Sequence, residues 1–151
     1  MSTAKTEYQL HGFMIGKEIH FDIDNRRLYR LPSGSSEKHI VFGSIFFNDT
    51  MLQLFLYLLQ YGRDHAVSKE ELLMNIWEKN DLSPSAQRLW QVMKNLTQKL
   101  NLLGLPDDFI LNTKGRGYKI NYSNVIPIYY KTSELLNCLE KDSARVEIQS
   151  E

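Results

Sequence analysis

The chain has 151 residues, a formal net charge of zero, 42% hydrophobic residues and 24% charged residues. These values are ordinary for a globular protein and predict one domain, and the zero net charge gives no sign of a polyanion binder. The single cysteine, Cys138, excludes an internal disulfide, and the four scattered histidines lack the spacing of a metal site, so neither a metal nor a cofactor is predicted.

The N-terminal third predicts a small antiparallel sheet. Residues 1–12 are polar and indicate a flexible N-terminus, while Ile19, Phe21 and Ile23 alternate with polar residues as in a half-buried strand. The four predicted strands are residues 13–15, 18–23, 26–31 and 38–42, with a loop at 32–36. A sheet this thin needs helices packed on its apolar face.

Three helices follow the predicted sheet. The first, from the caps at 48–50 to Tyr61, is so apolar that we expect it at the centre of the core. The second begins with a capping box, in which Ser68 caps and Glu71 reaches back, and it buries residues such as Trp77. The third spans 83–103, with Ser83 as its expected N-cap. Two helices joined by a short turn predict a helix-turn-helix layout.

The helix 83–103 has two contrasting faces and no acidic residue. One face, formed by Ala86, Leu89, Met93, Leu96 and Leu100, predicts core packing. The opposite face carries Gln87, Gln91, Lys94 and Gln98, flanked by Arg88 and Asn95. Long amide and cationic side chains without carboxylates favour contact with a polyanion, although an ordinary solvated face on a core helix would show part of the same pattern.

A predicted hairpin at 109–122 places two cations and two glycines at its tip. Thr113, Lys114 and Arg116 belong to this tip, and a solvated turn is the simpler alternative. A nucleotide-binding glycine loop is disfavoured because a strand, not a helix, follows. Residues 83–122 contain six Lys/Arg and two Asp, which is a local excess of positive charge.

The C-terminal part, 123–151, predicts an extension that is partly disordered. Residues 125–130 are apolar and indicate an edge strand or a packed extension, and 132–140 could form a short helix. No nucleophile–base spacing and no small-molecule site is evident, so we do not expect an enzyme. The N-terminus is no signal peptide and no apolar run nears the roughly 18 residues of a membrane helix, which predicts a cytoplasmic protein.

These elements resemble the winged helix-turn-helix DNA-binding domain of the OmpR/PhoB family. Residues 67–73 with Ile76 and Trp77 look like the family's second helix, and the core ladder from Leu89 to Leu100 looks like its recognition helix. Ile110 with residues 114–118, Lys-Gly-Arg-Gly-Tyr, is similar to its wing motif. The resemblance covers 13–122 and implies an α+β fold: a four-stranded antiparallel sheet, three helices and a C-terminal β-hairpin wing.

The chain has no room for a receiver domain before this region, so it is most similar to the N-terminal domain of ToxR/CadC-like regulators. In that branch a membrane helix follows the domain, which would make this chain either a stand-alone member or the cytoplasmic part of a membrane-anchored regulator. Residues 95–100, Asn-Leu-Thr-Gln-Lys-Leu, also lack three cations that the family's usual recognition helix carries.

The resemblance implies sequence-specific binding to double-stranded promoter DNA. Gln87, Arg88 and Gln91 would reach base edges, while Lys94, Asn95 and Gln98 would contact phosphate or sugar. Thr113, Lys114 and Arg116 on the wing would meet the adjacent backbone or the minor groove. RNA polymerase is an expected partner by resemblance, and the small basic surface favours a homodimer. The alternative is a winged-helix protein-interaction module that has lost most DNA binding.

Overall fold

The computed structural model describes residues 7–31, 43–80, 83–134 and 138. Its strands are β1 (Tyr8–Ile15), β2 (Ile19–Asp22), β3 (Arg27–Arg30), β4 (Ser44–Phe46), β5 (Ile110–Thr113), β6 (Gly117–Ile120) and β7 (Val125–Lys131). Its helices are α1 (Asp49–Tyr61), α2 (Lys69–Leu72) and α3 (Ala86–Leu102). α2 continues through a π-helical turn, Leu73–Trp77, and a 3-10 turn, Glu78–Asn80. Within the described ranges, no helix has the length and apolar content needed to cross a bilayer.

The first sheet has five strands in the order β4-β3-β2-β1-β7, and each neighbouring pair is antiparallel. The four-stranded count is therefore wrong: β7, from the predicted C-terminal extension, pairs along β1 from Tyr8↔Lys131 to Ile15↔Val125. The same pairing explains why β1 begins at Tyr8, inside the stretch predicted to be flexible. The predicted fourth strand, 38–42, lies outside the described residues. The fourth strand of the structure, β4, is Ser44–Phe46.

The hydrophobic core lies between this sheet and the helices, with α1 at its centre as predicted. The ring of Phe55 on α1 lies 5.0 Å from the Phe21 ring of β2 and 5.7 Å from the Phe47 ring, measured between centroids. It also lies 6.3 Å from the ring of Phe109, which follows α3. All four aromatic side chains are fully buried. The first helix thus joins the sheet to the C-terminal half of the fold.

α2 is positioned by its cap and by α1. The Ser68 hydroxyl accepts a hydrogen bond from the Glu71 N–H at 3.1 Å, which confirms Ser68 as the predicted cap. The Glu71 carboxylate accepts a hydrogen bond from the Tyr57 hydroxyl of α1. It therefore points towards α1, whereas the capping box predicts that it points back to the Ser68 backbone N–H. Burial, together with this carboxylate, raises the pKa of Tyr57 to about 12. The tyrosine therefore remains a neutral donor between the two helices.

His20 is a partly buried titratable side chain of β2. Its ring packs 5.5 Å from the His11 ring, and its Nε2 is buried with no hydrogen-bond partner within the described residues. Burial, and then His11, lowers the pKa of His20, while Asp22 opposes the shift. The unfolded chain consequently takes up a proton on His20 more readily than the folded chain does.

We expect the free energy of unfolding to fall as the pH drops below about 6.5, and His20→Phe to reduce this dependence. The stability that neutral His20 contributes is fully present above the pKa of the unfolded chain. It is lost as the pH falls, because protonation then favours the unfolded chain, whose histidine has the higher pKa. Urea unfolding at pH 7.5 and pH 5.5 measures it. His65→Gln, at an exposed position, is the control, and equal pH dependence in wild type and His20→Phe would contradict the assignment.

Candidate nucleic-acid interface

α3 begins two residues later than the sequence pattern indicates. Ser85, not Ser83, is the N-cap: its φ and ψ are −145° and 121°, and its hydroxyl accepts the Arg88 N–H at 3.2 Å. Ala86 is then the first helical residue and is exposed, although its position in the apolar stripe predicts core packing. A serine on either side of Pro84 is a competent cap, so local composition does not choose between them.

The two faces of α3 separate as predicted. Leu89, Met93, Leu96 and Leu100 are all buried in the core. The six side chains predicted to contact DNA from this helix are all exposed: Gln87, Arg88, Gln91, Lys94, Asn95 and Gln98. The helix therefore presents a continuous polar surface, and this surface contains no carboxylate.

Two pairs of side chains organise this polar surface. Gln91 Nε2 donates a hydrogen bond to Asn95 Oδ1 at 3.2 Å, so the two amides form one unit across a helical turn. Lys94 Nζ lies 5.0 Å from the ring centroid of Trp90, within cation–π range. The sequence reasoning did not single out Trp90, whose signal is an aromatic residue one position off the apolar stripe.

The hairpin of β5 and β6 is fastened beside α2. Val67, just before α2, exchanges two backbone hydrogen bonds with Tyr118 of β6, at 2.7 Å and 2.8 Å. At the tip, the Arg116 N–H donates to the Thr113 carbonyl at 2.9 Å, and Gly115 has a φ of 81°. Lys114 and Arg116 are exposed, whereas Thr113 is half-buried. The cations at the tip are consequently held on a short turn of defined shape.

One cleft lies beside the wing tip and another beside α3, and sequence reasoning found neither of them. One, of about 430 Å³, lies between the wing tip and residues 68–70 at the start of α2. The other, of about 570 Å³, lies between the start of α1, at Asn48 and Thr50, and the α3 side chains Gln87, Arg88, Gln91 and Asn95. Each is assembled from segments far apart in sequence, so only the folded chain reveals it.

The charged side chains that α3 and the wing tip expose are cationic, while the exposed Glu70 lines the cleft beside the wing. Arg88, Lys94, Lys114 and Arg116 are exposed on α3 and the wing. The two acids of this region point elsewhere: Asp107 accepts from Asn101 Nδ2, and Asp108 accepts from Asn121 Nδ2. Among the described residues, no three His, Cys, Asp or Glu side chains group as metal ligands. The arrangement is suited to phosphate contact.

The model of a protein family described as "Transcriptional regulatory protein, C terminal" matches residues 45–120. The chain belongs to this family. Its OmpR/PhoB-type winged-helix character, predicted from the second helix, the recognition helix and the wing, is thereby confirmed, and so is a role in DNA-binding transcription regulation. The matched residues run from β4 to the end of β6 and include the whole surface described above.

Two solved structures and one curated relative are similar to the chain. The DNA-binding domain of E. coli CadC superposes with a TM-score of 0.60 at 20% identity, covering 80% of this chain and 99% of that domain. This similarity confirms the α+β winged-helix fold. The C-terminal domain of the nisin resistance regulator NsrR gives a TM-score of 0.48 at 23% identity, covering 74% and 94%. RcaC of Microchaete diplosiphon is 39% identical over 69 residues, which are 46% of this chain and 10% of that protein. The match therefore spans about a tenth of the relative's length.

Proposed function

We propose that this member of the family binds double-stranded promoter DNA sequence-specifically, with helix 83–103 in the major groove and the wing 109–122 on the adjacent backbone or in the minor groove. One observation carries the proposal: the exposed face of α3 holds amides and cations without a carboxylate, and two cations of the wing are also exposed. An α-helix fits the major groove, where base edges offer distinct donor and acceptor patterns.

The N-terminal half of α3 supplies the base contacts in this proposal. Gln87 and Gln91 can each pair with adenine N6 and N7, and Arg88 can pair with guanine O6 and N7. These three side chains are exposed and border the cleft between α3 and the start of α1. The hydrogen bond from Gln91 to Asn95 restricts the glutamine before DNA arrives, which reduces the entropy lost on binding.

The remaining residues position the protein on the backbone. Lys94, Asn95 and Gln98 contact phosphate or sugar, and Lys114 and Arg116 contact phosphates near the wing, aided by the Thr113 hydroxyl. A lysine at the wing tip acts as a point charge, and the arginine adds a planar fork. Few phosphate contacts mean weak binding by one copy, so we propose a homodimer or tandem sites, with RNA polymerase as a further partner by family resemblance.

Substitutions on the two parts of the interface should have different effects. We expect Gln91→Ala to weaken binding to the selected site about tenfold and to leave non-specific binding unchanged, because a base contact discriminates by roughly 1–3 kcal/mol. Arg116→Ala should weaken binding to all sequences and lower the slope of log K against log salt by about one unit. Selection from a random duplex library, followed by fluorescence anisotropy at several salt concentrations, measures both.

Lys17→Ala, an exposed cation on the β1–β2 turn, is the matched control and should change neither quantity. If no duplex binds even at low salt, the DNA-binding proposal fails. A stable protein partner that covers Gln91 would then favour the protein-interaction module. If Gln91→Ala and Arg116→Ala bind as the wild type does, α3 and the wing are not the interface.

A further inference from the structure

We infer that Trp90 is a specificity residue that packs its indole against thymine 5-methyl groups and so directs α3 to A·T base pairs. The inference rests on the proposed DNA binding and deepens it, because it names the class of base pair that the recognition helix reads. Its basis is the placement of one large apolar side chain among amides on the exposed face of α3.

Trp90 lies at the border between the buried stripe and the polar surface. It follows Leu89, which is 1% exposed, by one residue, or about 100° around the helix, and it is itself 55% exposed. Trp77, the other tryptophan, is fully buried. Gln87 lies three residues before Trp90, so the indole is a neighbour on the helix surface of one proposed base-reading amide, and Gln91 lies about 100° further around the helix.

Lys94 keeps the indole on this surface. Lys94 follows Trp90 by one helical turn, and its ammonium lies 5.0 Å from the centroid of the indole ring. The cation therefore covers part of one face of the ring. Apart from its N–H the indole is apolar, and 55% of the residue is exposed to solvent. Burying apolar area against a ligand is favourable in proportion to the area, so this ring gains from an apolar partner.

The major groove offers one apolar group, the 5-methyl of thymine. The same A·T pair presents adenine N6 and N7, which glutamine binds through two hydrogen bonds. The side chains therefore suit an A·T pair. Gln87 or Gln91 would bind adenine, and Trp90 would contact the thymine methyl of the same pair or the next one. A guanine–cytosine pair has no methyl for the indole to contact.

The experiment replaces thymines one at a time with deoxyuridine, which removes only the methyl. The probe is the duplex obtained by selection from a random library with the full chain. We expect at least one replacement to weaken binding about fourfold, the loss for one buried methyl-sized group, measured by fluorescence anisotropy. In Trp90→Ala, thymine and deoxyuridine duplexes should bind equally at that position.

Leu102→Ala is the matched control, since it removes an exposed apolar side chain from the other end of the same helix, and it should retain the thymine preference. Circular dichroism checks that Trp90→Ala is folded, and the comparison of bases in the wild type needs no variant. If no duplex is selected, the proposed DNA binding itself fails. If a duplex is selected but contains no thymine whose methyl matters, or if the preference survives in Trp90→Ala, only the inference about Trp90 is overturned. A preference that survives in Trp90→Ala would show that another side chain contacts the thymine methyl.

Discussion

Gly117→Ala is expected to lower the free energy of unfolding by about 3 kcal/mol, because two independent constraints meet at this residue. Its φ is 116°, in the region that favours glycine, and a Cβ added there would lie 1.9 Å from the Val67 carbonyl oxygen. The nearest atoms all belong to backbone, at Val67 and Ser68, so no flexible side chain can move aside. Relief requires the two hydrogen bonds between Val67 and Tyr118 to break.

Gly115→Ala is the matched control at the same wing tip. Gly115 also has a positive φ, 81°, but nothing lies within 4 Å of its added Cβ, so we expect a loss of only about 1 kcal/mol. Urea unfolding compares the two variants, and equal losses would show that the close approach to Val67 does not matter. Because Gly117 holds the wing beside α2, its variant should also show a smaller salt dependence of DNA binding.

The parts of the fold predicted well from sequence are those that depend on near neighbours. The cap at Ser68, the burial of Leu89, Met93 and Leu96, and the central place of α1 all follow from periodicity and composition within a few residues. The exposure of Gln87 and Gln91 follows from the same 3.6-residue period. Such features survive in any fold that buries the apolar stripe.

What sequence could not supply depends on distant pairing. β7 joins the sheet through pairs such as Tyr8 with Lys131, which are 123 residues apart in sequence. An apolar stretch containing Pro127 is equally compatible with a packed extension. Pro127 lies opposite Phe13 on an edge strand, where a missing N–H is tolerated. The choice of Ser85 as the cap also depends on where the preceding segment leads the chain.

The candidate site likewise has features that the sequence predicts and features that only the folded chain shows. Its side chains were foreseeable from one helix and one turn, whereas their arrangement was not. The bond between Gln91 and Asn95, the cation over Trp90 and the cleft beside Asn48 follow from rotamers and from α1 packing. The proposed base contacts depend on this arrangement, because a bidentate contact needs both atoms of an amide in place.

Arg30→Ala is expected to lower the free energy of unfolding by about 2 kcal/mol and to loosen the C-terminal end of α3. Arg30 Nη1 donates to the carbonyl of Leu103, the C-cap residue of α3, at 2.5 Å. Its Nε and Nη2 contact Glu18 Oε2 at 3.1 Å and 2.9 Å, and the side chains are only 28% and 18% exposed. One guanidinium thus joins the sheet to the C-terminal end of α3, where a cation also suits the helix dipole.

Gly104 leaves room for this contact, since a Cβ added at this position would lie 2.4 Å from Arg30 Nη1. Its φ of 90° also favours glycine. Arg27→Ala, on the same strand, is the control: Arg27 is exposed and lies 5.4 Å from the Phe46 ring centroid, so its loss should cost less than about 0.5 kcal/mol. Urea unfolding gives the stability, and hydrogen exchange at residues 100–103 reports the end of α3. Faster exchange at these residues in Arg30→Ala alone would show that the guanidinium stabilises the end of α3. Equal exchange in both variants would refute this role. Arg30→Lys should recover little stability, because a point charge cannot bind Glu18 and the Leu103 carbonyl in the same planar geometry.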